Sequence, residues 1–281
     1  MDRNNFIFAL LVLGAVLFGS IRNESAEELV LEQKPETTSF AAILRIAPPS
    51  EIITGSLPRI TAASALARDL SASEPFYLLN NGQQWPIASL TKLMTAIVAR
   101  EKFPANAKIK VSANAVATEG GAGGFFVGGV YNLSQLLKPL LKLSSNDAAV
   151  ALAEFYGEEK FLEEMNKKAA TLGMRNTRFF DSSGLSPLNQ STLEDLEKLA
   201  VYIFHRHPDI FDITAEREGN IHPFAGKENF LGGKTGFIDE ANGNLISLFS
   251  KSDGGTLLVI VLGSEDRFLD TKILYDRFAS N

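Results

Sequence analysis

The stretch Pro86-Ile87-Ala88-Ser89-Leu90-Thr91-Lys92-Leu93-Met94-Thr95-Ala96-Ile97-Val98 carries a serine and a lysine three positions apart. Pro86 can begin a helix but hardly sit inside one, and Leu90, Leu93, Met94, Ile97 and Val98 recur at helical spacing. The pattern predicts a buried helix with Ser89 in its first turn. Residues i and i+3 share a helical face, so Ser89 and Lys92 can touch. A serine hydroxyl attacks a carbonyl only when a neighbour takes its proton. Lys92 can be that neighbour if it is neutral, a state favoured by burial, by the positive end of a helix dipole and by a second nearby cation. The amide N–H groups at the helix start also point at an anion forming beside Ser89, which is part of an oxyanion site. Taken alone, the pair reads more simply as a small residue and an exposed lysine; residues further along the chain change that.

The bulk of the chain narrows the function classes. Its 281 residues are 45% apolar and 21% charged, enough for one large globular domain or two small ones. Mean hydropathy is +0.04, which is neither disordered nor polytopic in character. A net charge of −6, with no basic block, argues against nucleic acid as a partner. With no cysteine, thiol catalysis, disulfides and cysteine-ligated metals are excluded. Absence of cysteine fits an exported protein and many cytosolic ones alike.

The N-terminus says more about compartment. Residues 6–18 are apolar apart from Gly14, preceded by Arg3 and followed by Gly19-Ser20-Ile21-Arg22 and then acidic residues. That is the length of a signal-peptide core and short for a spanning helix of roughly 20 residues. Residues 1–22 are therefore expected to be a signal peptide or an uncleaved membrane anchor, and the chain to be exported to the periplasm or the outer face of the cytoplasmic membrane. Residues 23–58 hold no lasting periodicity and include Pro48-Pro49-Ser50, so they read as a linker. Residues 59–281 are expected to form the folded domain.

Within that domain, 62–70 and 76–79 read as strands joined by Ser71-Ala72-Ser73-Glu74-Pro75, and Asn80-Asn81-Gly82 leads on to the Ser89 helix. Lys108-Ile109-Lys110-Val111 is a short strand. The glycines between 120 and 129 resemble a phosphate-cradling loop only superficially, because no Gly-Lys-Ser/Thr closes the run. Asn132 and Gln135 form a capping box for the next helix, in which Pro139 should leave a kink. At its end, Leu143-Ser144-Ser145-Asn146-Asp147 offers an N-cap, by Ser145 or Asn146, to a following helix closed by Gly157. The functional reading of the same residues turns Ser144 and Asn146 into a cleft.

Residues 161–172 are amphipathic and end at Gly173, and 177–180 read as a short strand. Asn189-Gln190-Ser191 matches a glycosylation sequon, but capping of helix 193–204 by Ser191 or Thr192 is the simpler account. His205, His207 and His222 are the only histidines and have no carboxylate at ligand spacing, so no metal and no cofactor is expected. The last third reads as strands 230–238, 244–250 and 256–262, joined by Ala241-Asn242-Gly243 and Asp253-Gly254-Gly255, with a closing helix through Phe268, Ile273, Leu274 and Phe278. Two early strands and three late ones, with helices between and after, predict an α+β fold: an antiparallel sheet of about five strands covered by helices, with a helical subdomain.

Ser89-x-x-Lys92, Ser144-x-Asn146 and Lys234-Thr235-Gly236, in that order, resemble the three signature motifs of penicillin-recognising serine enzymes. The resemblance runs from about Ile60 to Phe278. It is closest to the D-alanyl-D-alanine carboxypeptidase family, through Pro86 to Lys92, Met165-Asn166-x-Lys168-Ala169 and Leu172-Gly173-Met174. It implies a β-lactamase/transpeptidase-like fold and a serine peptidase that works on peptidoglycan stem peptides ending in D-Ala-D-Ala, with β-lactams as covalent inhibitors. It also implies roles: Ser89 as nucleophile, Lys92 as base, Ser144 as proton relay, and Asn146 as ligand to the substrate backbone. Lys234 and Thr235 would hold the terminal carboxylate, Gly236 would let substrate lie along the strand, and the backbone N–H groups of Ser89 and Phe237 would form the oxyanion hole. Lys234 would also be the second cation that keeps Lys92 neutral.

Two departures from the family pattern are visible. Residues 220–230 are shorter than usual ahead of the third motif, and no second domain or C-terminal anchor is expected after Asn281, with the N-terminal segment as the expected tether. Rival readings are a β-lactamase, which needs a water-activating carboxylate and finds only Asp181 between 177 and 189, and a non-catalytic peptidoglycan-binding or β-lactam-sensing module. Whether a DD-carboxypeptidase or a DD-endopeptidase is the better name stays open at this level, because both reactions break a D-alanyl bond.

Overall fold

The computed structural model describes residues 59–279 and the backbone of Glu51–Ile52. The apolar run at 6–18 and most of the expected linker lie outside the described residues. In chain order come β1 (Glu51–Ile52), β2 (Ser64–Asp69), β3 (Tyr77–Leu79), β4 (Trp85–Pro86), a 3-10 turn (Ala88–Leu90) and α1 (Thr91–Lys102). Next are β5 (Ile109–Lys110), α2 (Ala113–Ala117), β6 (Val130–Tyr131), α3 (Leu133–Lys142), α4 (Asn146–Tyr156) and α5 (Glu158–Thr171). The chain closes with β7 (Gln190–Ser191), α6 (Leu193–Arg206), α7 (Pro208–Ala215), β8 (Phe230–Ile238), β9 (Asn242–Ser250), β10 (Thr256–Ser264) and α8 (Arg267–Phe278).

The main sheet is antiparallel throughout, in the order β1-β3-β2-β10-β9-β8. Its five longer strands are those the alternation predicts. The sixth, β1, comes from the stretch read as linker and pairs Glu51 with Leu79 and Ile52 with Leu78. Strand alternation divides the core in two, because successive side chains leave opposite faces of a sheet. Ile246, Leu248, Leu258, Ile260 and Leu262 face a large core with the helices from α1 to α7. Leu245, Phe249, Leu257, Val259 and Val261 face a smaller one with Leu274 and Phe278 of α8. A sheet covered on both faces needs apolar residues at consecutive positions, which is why β9 and β10 carry nearly unbroken apolar runs.

α1 threads the larger core. Nine consecutive residues, Thr91 to Ala99, are buried, so no polar stripe survives along it. Its start differs from the sequence expectation. Pro86 belongs to β4 and pairs with Gln190 of β7, and Ile87 N–H donates to the Asn189 carbonyl. Ala88 then has φ +47°, which does not fit a right-handed α-helix, so Ser89 lies in the 3-10 turn that Ala88 opens and α1 begins only at Thr91. Residues 177–180 likewise form a single bridge, Arg178 to Gln190, rather than a strand.

Several local signals act as written in the chain. Asn132 and Gln135 make the reciprocal capping box of α3, Ser145 caps α4, Thr192 caps α6, and Gly173 closes α5 at φ +72°. α3 continues through Pro139, whose carbonyl accepts from both Leu143 and Ser145. α2 and α7 are not foreseen from periodicity, being 5 and 8 residues long. Their signals are Ser112 as cap and Pro208 at the first position.

The start of the described chain is fastened to its end by Asp270. Its carboxylate, 1% exposed, accepts from Thr61 N–H at 3.0 Å, Thr61 O–H at 2.8 Å and Ser264 O–H at 2.6 Å. Asp270→Ala leaves three donors without an acceptor, and we expect it to lower the free energy of unfolding by about 3 kcal/mol in a denaturant titration.

Candidate active site

The segment carrying Ser89 is pinched from two sides by glycines. On one side Gly184 has φ +84°, and a Cβ there would overlap the Ala88 carbonyl. On the other, a Cβ at Gly236 of β8 would lie 2.9 Å from the Ile87 carbonyl oxygen and 3.3 Å from Ser89 N. β8 is the last strand of the sheet, so its outer edge runs past the amide of Ser89. Asn244 Nδ2 donates to the Pro86 carbonyl at 2.9 Å and locks the same segment to β9.

Lys92, 0% exposed, makes three polar contacts: 2.7 Å to Ser89 Oγ, 2.6 Å to Asn146 Oδ1 and 2.5 Å to the Ser183 carbonyl. Two of these partners are carbonyl oxygens and can only accept. When the amine is neutral it has two N–H bonds and one lone pair. The carbonyls take the hydrogens, and the lone pair is left facing the Ser89 hydroxyl, which then donates to Nζ. Burial lowers the Lys92 pKa from 10.5 to about 7, against the opposing pull of Asp181 and Asp147.

Ser144 has φ +60° and stands just before α4, while its neighbour Ser145 takes the capping role by accepting from Ala148 N–H at 3.0 Å. That division lets Ser144 turn to Lys234, whose Nζ donates to Ser144 Oγ at 2.9 Å and to the Thr235 carbonyl at 2.8 Å. Lys234 is 1% exposed. Burial holds its pKa well below that of an ordinary lysine, and repulsion from Lys92 and Arg267 adds to the effect. The expected mutual effect of two amines thus falls on Lys234, whereas burial is what depresses Lys92. Asn146 differs from a free substrate ligand, because Oδ1 accepts from Lys92 and Nδ2 donates to the Glu119 carbonyl at 2.7 Å. One N–H of that amide is left over.

Thr235 and Gly236 line the same strand, with Thr235 buried and the Phe237 side chain 54% exposed beyond them. The three motifs therefore meet: Ser89 and Lys92 directly, Asn146 through Lys92, and Ser144 with Lys234. The histidines do not meet. His207 lies by Glu101 on the surface, and His222 is buried beside Ser247, its pKa pushed down to about 3 by burial and by Lys234. Among the described residues no cluster of three metal-ligating side chains occurs.

Three residues near the site escape motif reading. Asp181 gathers the N–H groups of Ser183, Gly184 and Ser186 together with the Ser183 hydroxyl. Asp147 does the same for Ala122 N–H, Ala148 N–H and the Ser145 hydroxyl. The Arg267 guanidinium lies 5.8 Å from the Phe237 ring centre and 4.6 Å from that of Phe268, with a buried Nε that has no hydrogen-bond partner. Their local signals explain the turn or helix start and not the site: Asp-Ser-Ser-Gly favours an Asx turn, an acid suits a helix's first turn, and an arginine in that turn opposes the dipole.

Comparison with known proteins follows the same lines. A family model described as D-alanyl-D-alanine carboxypeptidase matches residues 52–266. A D-alanyl-D-alanine endopeptidase of Escherichia coli is 36% identical over 177 residues, covering 59% of this chain and 54% of that protein. The chain thus spans about half the length of that curated relative. A D-alanyl-D-alanine carboxypeptidase structure from Mycobacterium tuberculosis superposes with TM-score 0.73 at 25% identity, over 83% of this chain and 97% of that one. Penicillin-binding protein D2 of Listeria monocytogenes, in its cefotaxime-bound form, gives 0.66 at 27% identity over 79% and 98%.

The depressed Lys92 makes a stability statement. Between pH 7 and 10.5 the unfolded chain binds a proton at Lys92 that the folded chain does not, so folding stability gained from this residue rises with pH through that window and is flat below it. Against Lys92→Met, the wild type should gain on the order of a few kcal/mol from pH 7 to pH 10 in parallel denaturation curves.

Proposed function

The chain belongs to the D-alanyl-D-alanine carboxypeptidase family, and we propose that it is a serine DD-peptidase acting on peptidoglycan stem peptides through an acyl-enzyme. The observation that carries this reading is the geometry of Lys92: two carbonyl oxygens and Ser89 Oγ surround Nζ, so a neutral amine gives its hydrogens to the carbonyls and its lone pair to Ser89. Ser89 Oγ attacks the carbonyl carbon between two D-alanines while its proton passes to Lys92 Nζ. The backbone N–H groups of Ser89 and Phe237 receive the developing oxyanion. Collapse breaks the C–N bond, and the proton held by Lys92 passes through Ser144 to the leaving amine, which restores the neutral base. Water then attacks the ester as Lys92 takes its proton, and that proton returns to Ser89 Oγ as the acyl product leaves.

Lys234 and Thr235 are assigned to the terminal carboxylate, whose negative charge favours the ammonium form of Lys234 against the effect of burial. Arg267 adds positive potential at the same end of the cleft. Asn146 orients Lys92 and offers its remaining N–H to the substrate backbone, and Gly236 gives substrate close access to β8. A β-lactam presents the same acyl centre and carboxylate, and the cefotaxime-bound relative supports its place as covalent inhibitor. A β-lactamase reading is disfavoured because both oxygens of Asp181 are taken by backbone donors and the Ser183 hydroxyl, leaving it no water to activate.

Cleavage of cross-links is the second form of the same reading, favoured by the E. coli relative, whose name is endopeptidase. Such substrates would put the protein outside the cytoplasmic membrane, with residues 1–22 as signal peptide or anchor and the stretch between them and β1 as linker. Among the described residues no helix is long and apolar enough to cross a membrane.

Fluorescent penicillin should label the protein covalently, the label should vanish in Ser89→Ala, and the labelling rate should climb as pH rises through about 7, where Lys92 loses its proton. A label that survives in Ser89→Ala overturns the assignment. With purified muropeptides, free D-alanine in the products means carboxypeptidase action and separated dimers mean endopeptidase action. Lys234→Ala should lower kcat/KM for a carboxylate-ended peptide about 100-fold, the size expected for losing one partner of a buried charge pair. The same variant should affect the corresponding amide much less.

A further inference from the structure

Two carboxylates flank Lys92 without forming an ion pair with it, and the chemistry proposed above makes no use of either. Asp147 opens α4 and is 5% exposed. Its Oδ1 accepts from Ala122 N–H at 3.2 Å, from Ala148 N–H at 3.0 Å and from the Ser145 hydroxyl. The first bond ties the glycine-rich loop to α4, and that loop supplies the Glu119 carbonyl that accepts from Asn146 Nδ2. Asn146 is thereby turned so that Oδ1 meets Lys92 Nζ. On the opposite side, Asp181 folds residues 181–186 around itself, with Oδ1 on Ser183 N–H at 2.6 Å and Gly184 N–H at 2.5 Å, and Oδ2 on Ser186 N–H at 2.7 Å. That turn presents the Ser183 carbonyl to the same Nζ.

Resting on the reading of Lys92 as the base, we propose that Asp147 and Asp181 are a pair of positioning residues. Each builds one of the two carbonyl clasps that aim the Lys92 lone pair at Ser89, and their negative charges together set the pH at which Lys92 can accept a proton. The titratable groups around Lys92 are these two from α4 and the 181–186 turn, and Lys234 from β8, with Arg267 and the neutral His222 beyond Lys234. The carboxylates favour the ammonium form of Lys92 and oppose the effect of burial. A site with its base buried and no counter-charge would work into acid, whereas this site is confined to neutral and alkaline pH.

The two residues differ in what an amide would do there. All the donors on Asp147 converge on Oδ1, so Asp147→Asn can keep each hydrogen bond and remove only the charge. Asp181 uses both oxygens as acceptors, so Asp181→Asn loses charge and sets an N–H against Ser186 N–H. The experiment is the rate of penicillin acylation against pH for the full chain, with thermal unfolding of each variant. In Asp147→Asn the acid limb should move down by about one pH unit, making acylation about tenfold faster on the acid side, with an unchanged plateau. Asp181→Asn should shift the limb in the same direction with a lower plateau and a lower Tm. An Asp147→Asn limb that stays in place or moves up, whatever its plateau, overturns the inference. A wild-type protein that shows no acid limb, or labels without Ser89, overturns instead the reading of Lys92 and Ser89 on which the inference rests.

Discussion

A primary amine enclosed in protein must be given partners for each of its polar directions, or the fold loses more than it gains from burying the chain that carries it. Lys92 meets that demand with two acceptors and one hydroxyl, and the rest of the molecule can be followed outward from those three atoms. Ser89 is there because a 3-10 turn precedes α1, Asn146 because α4 begins where it does, and the Ser183 carbonyl because Asp181 curls its loop. Each lies on a different element, so the catalytic geometry reports on the packing of the whole helical side. Desolvation that would be a defect elsewhere brings this amine to about pH 7, in the range where a general base is useful.

The sheet contributes in another way. β8 is an edge strand, and Lys234, Thr235 and Gly236 sit on it where Gly236 comes against the turn that holds Ser89. Of the site's two buried amines, Lys92 touches Ser89 Oγ and Lys234 touches Ser144 Oγ. Burial affects both, yet their surroundings separate them: Lys92 has two carboxylates nearby, whereas Lys234 has Arg267 and Lys92 as neighbours and needs its counter-charge from outside. On the function proposed above, Lys92 is the base and Lys234 the cation that waits for the substrate carboxylate.

Much of this is legible from residue order alone, and the reason is range. The capping box at Asn132, the cap at Ser145 and the hairpins between β8, β9 and β10 are made by residues within a few positions of one another. So are Ser89 and Lys92. The two-residue pairing of β4 with β7 joins positions about a hundred apart and leaves no periodic trace, and it is the reason Pro86 reads as a helix start while serving as a strand. Ser144, Asn146, Lys234 and Thr235 could be picked out through resemblance because their types are distinctive. Asp147, Asp181 and Arg267 could not, since an aspartate in a turn and an arginine near a helix start are common, and only distance to Lys92 or Lys234 distinguishes these.

The glycines that hold residues 87–89 from both sides bear on how such a protein can diverge. Elsewhere in a core an added methyl group is absorbed by small shifts of flexible side chains. Here the surfaces in contact are main chain on main chain, with Gly184 against the Ala88 carbonyl and Gly236 against the Ile87 carbonyl and the Ser89 amide. Even the smallest side chain at Gly184 or Gly236 would have to shift the turn and move Ser89 Oγ with it. The exposed Phe237, one residue further along β8, is under no such constraint.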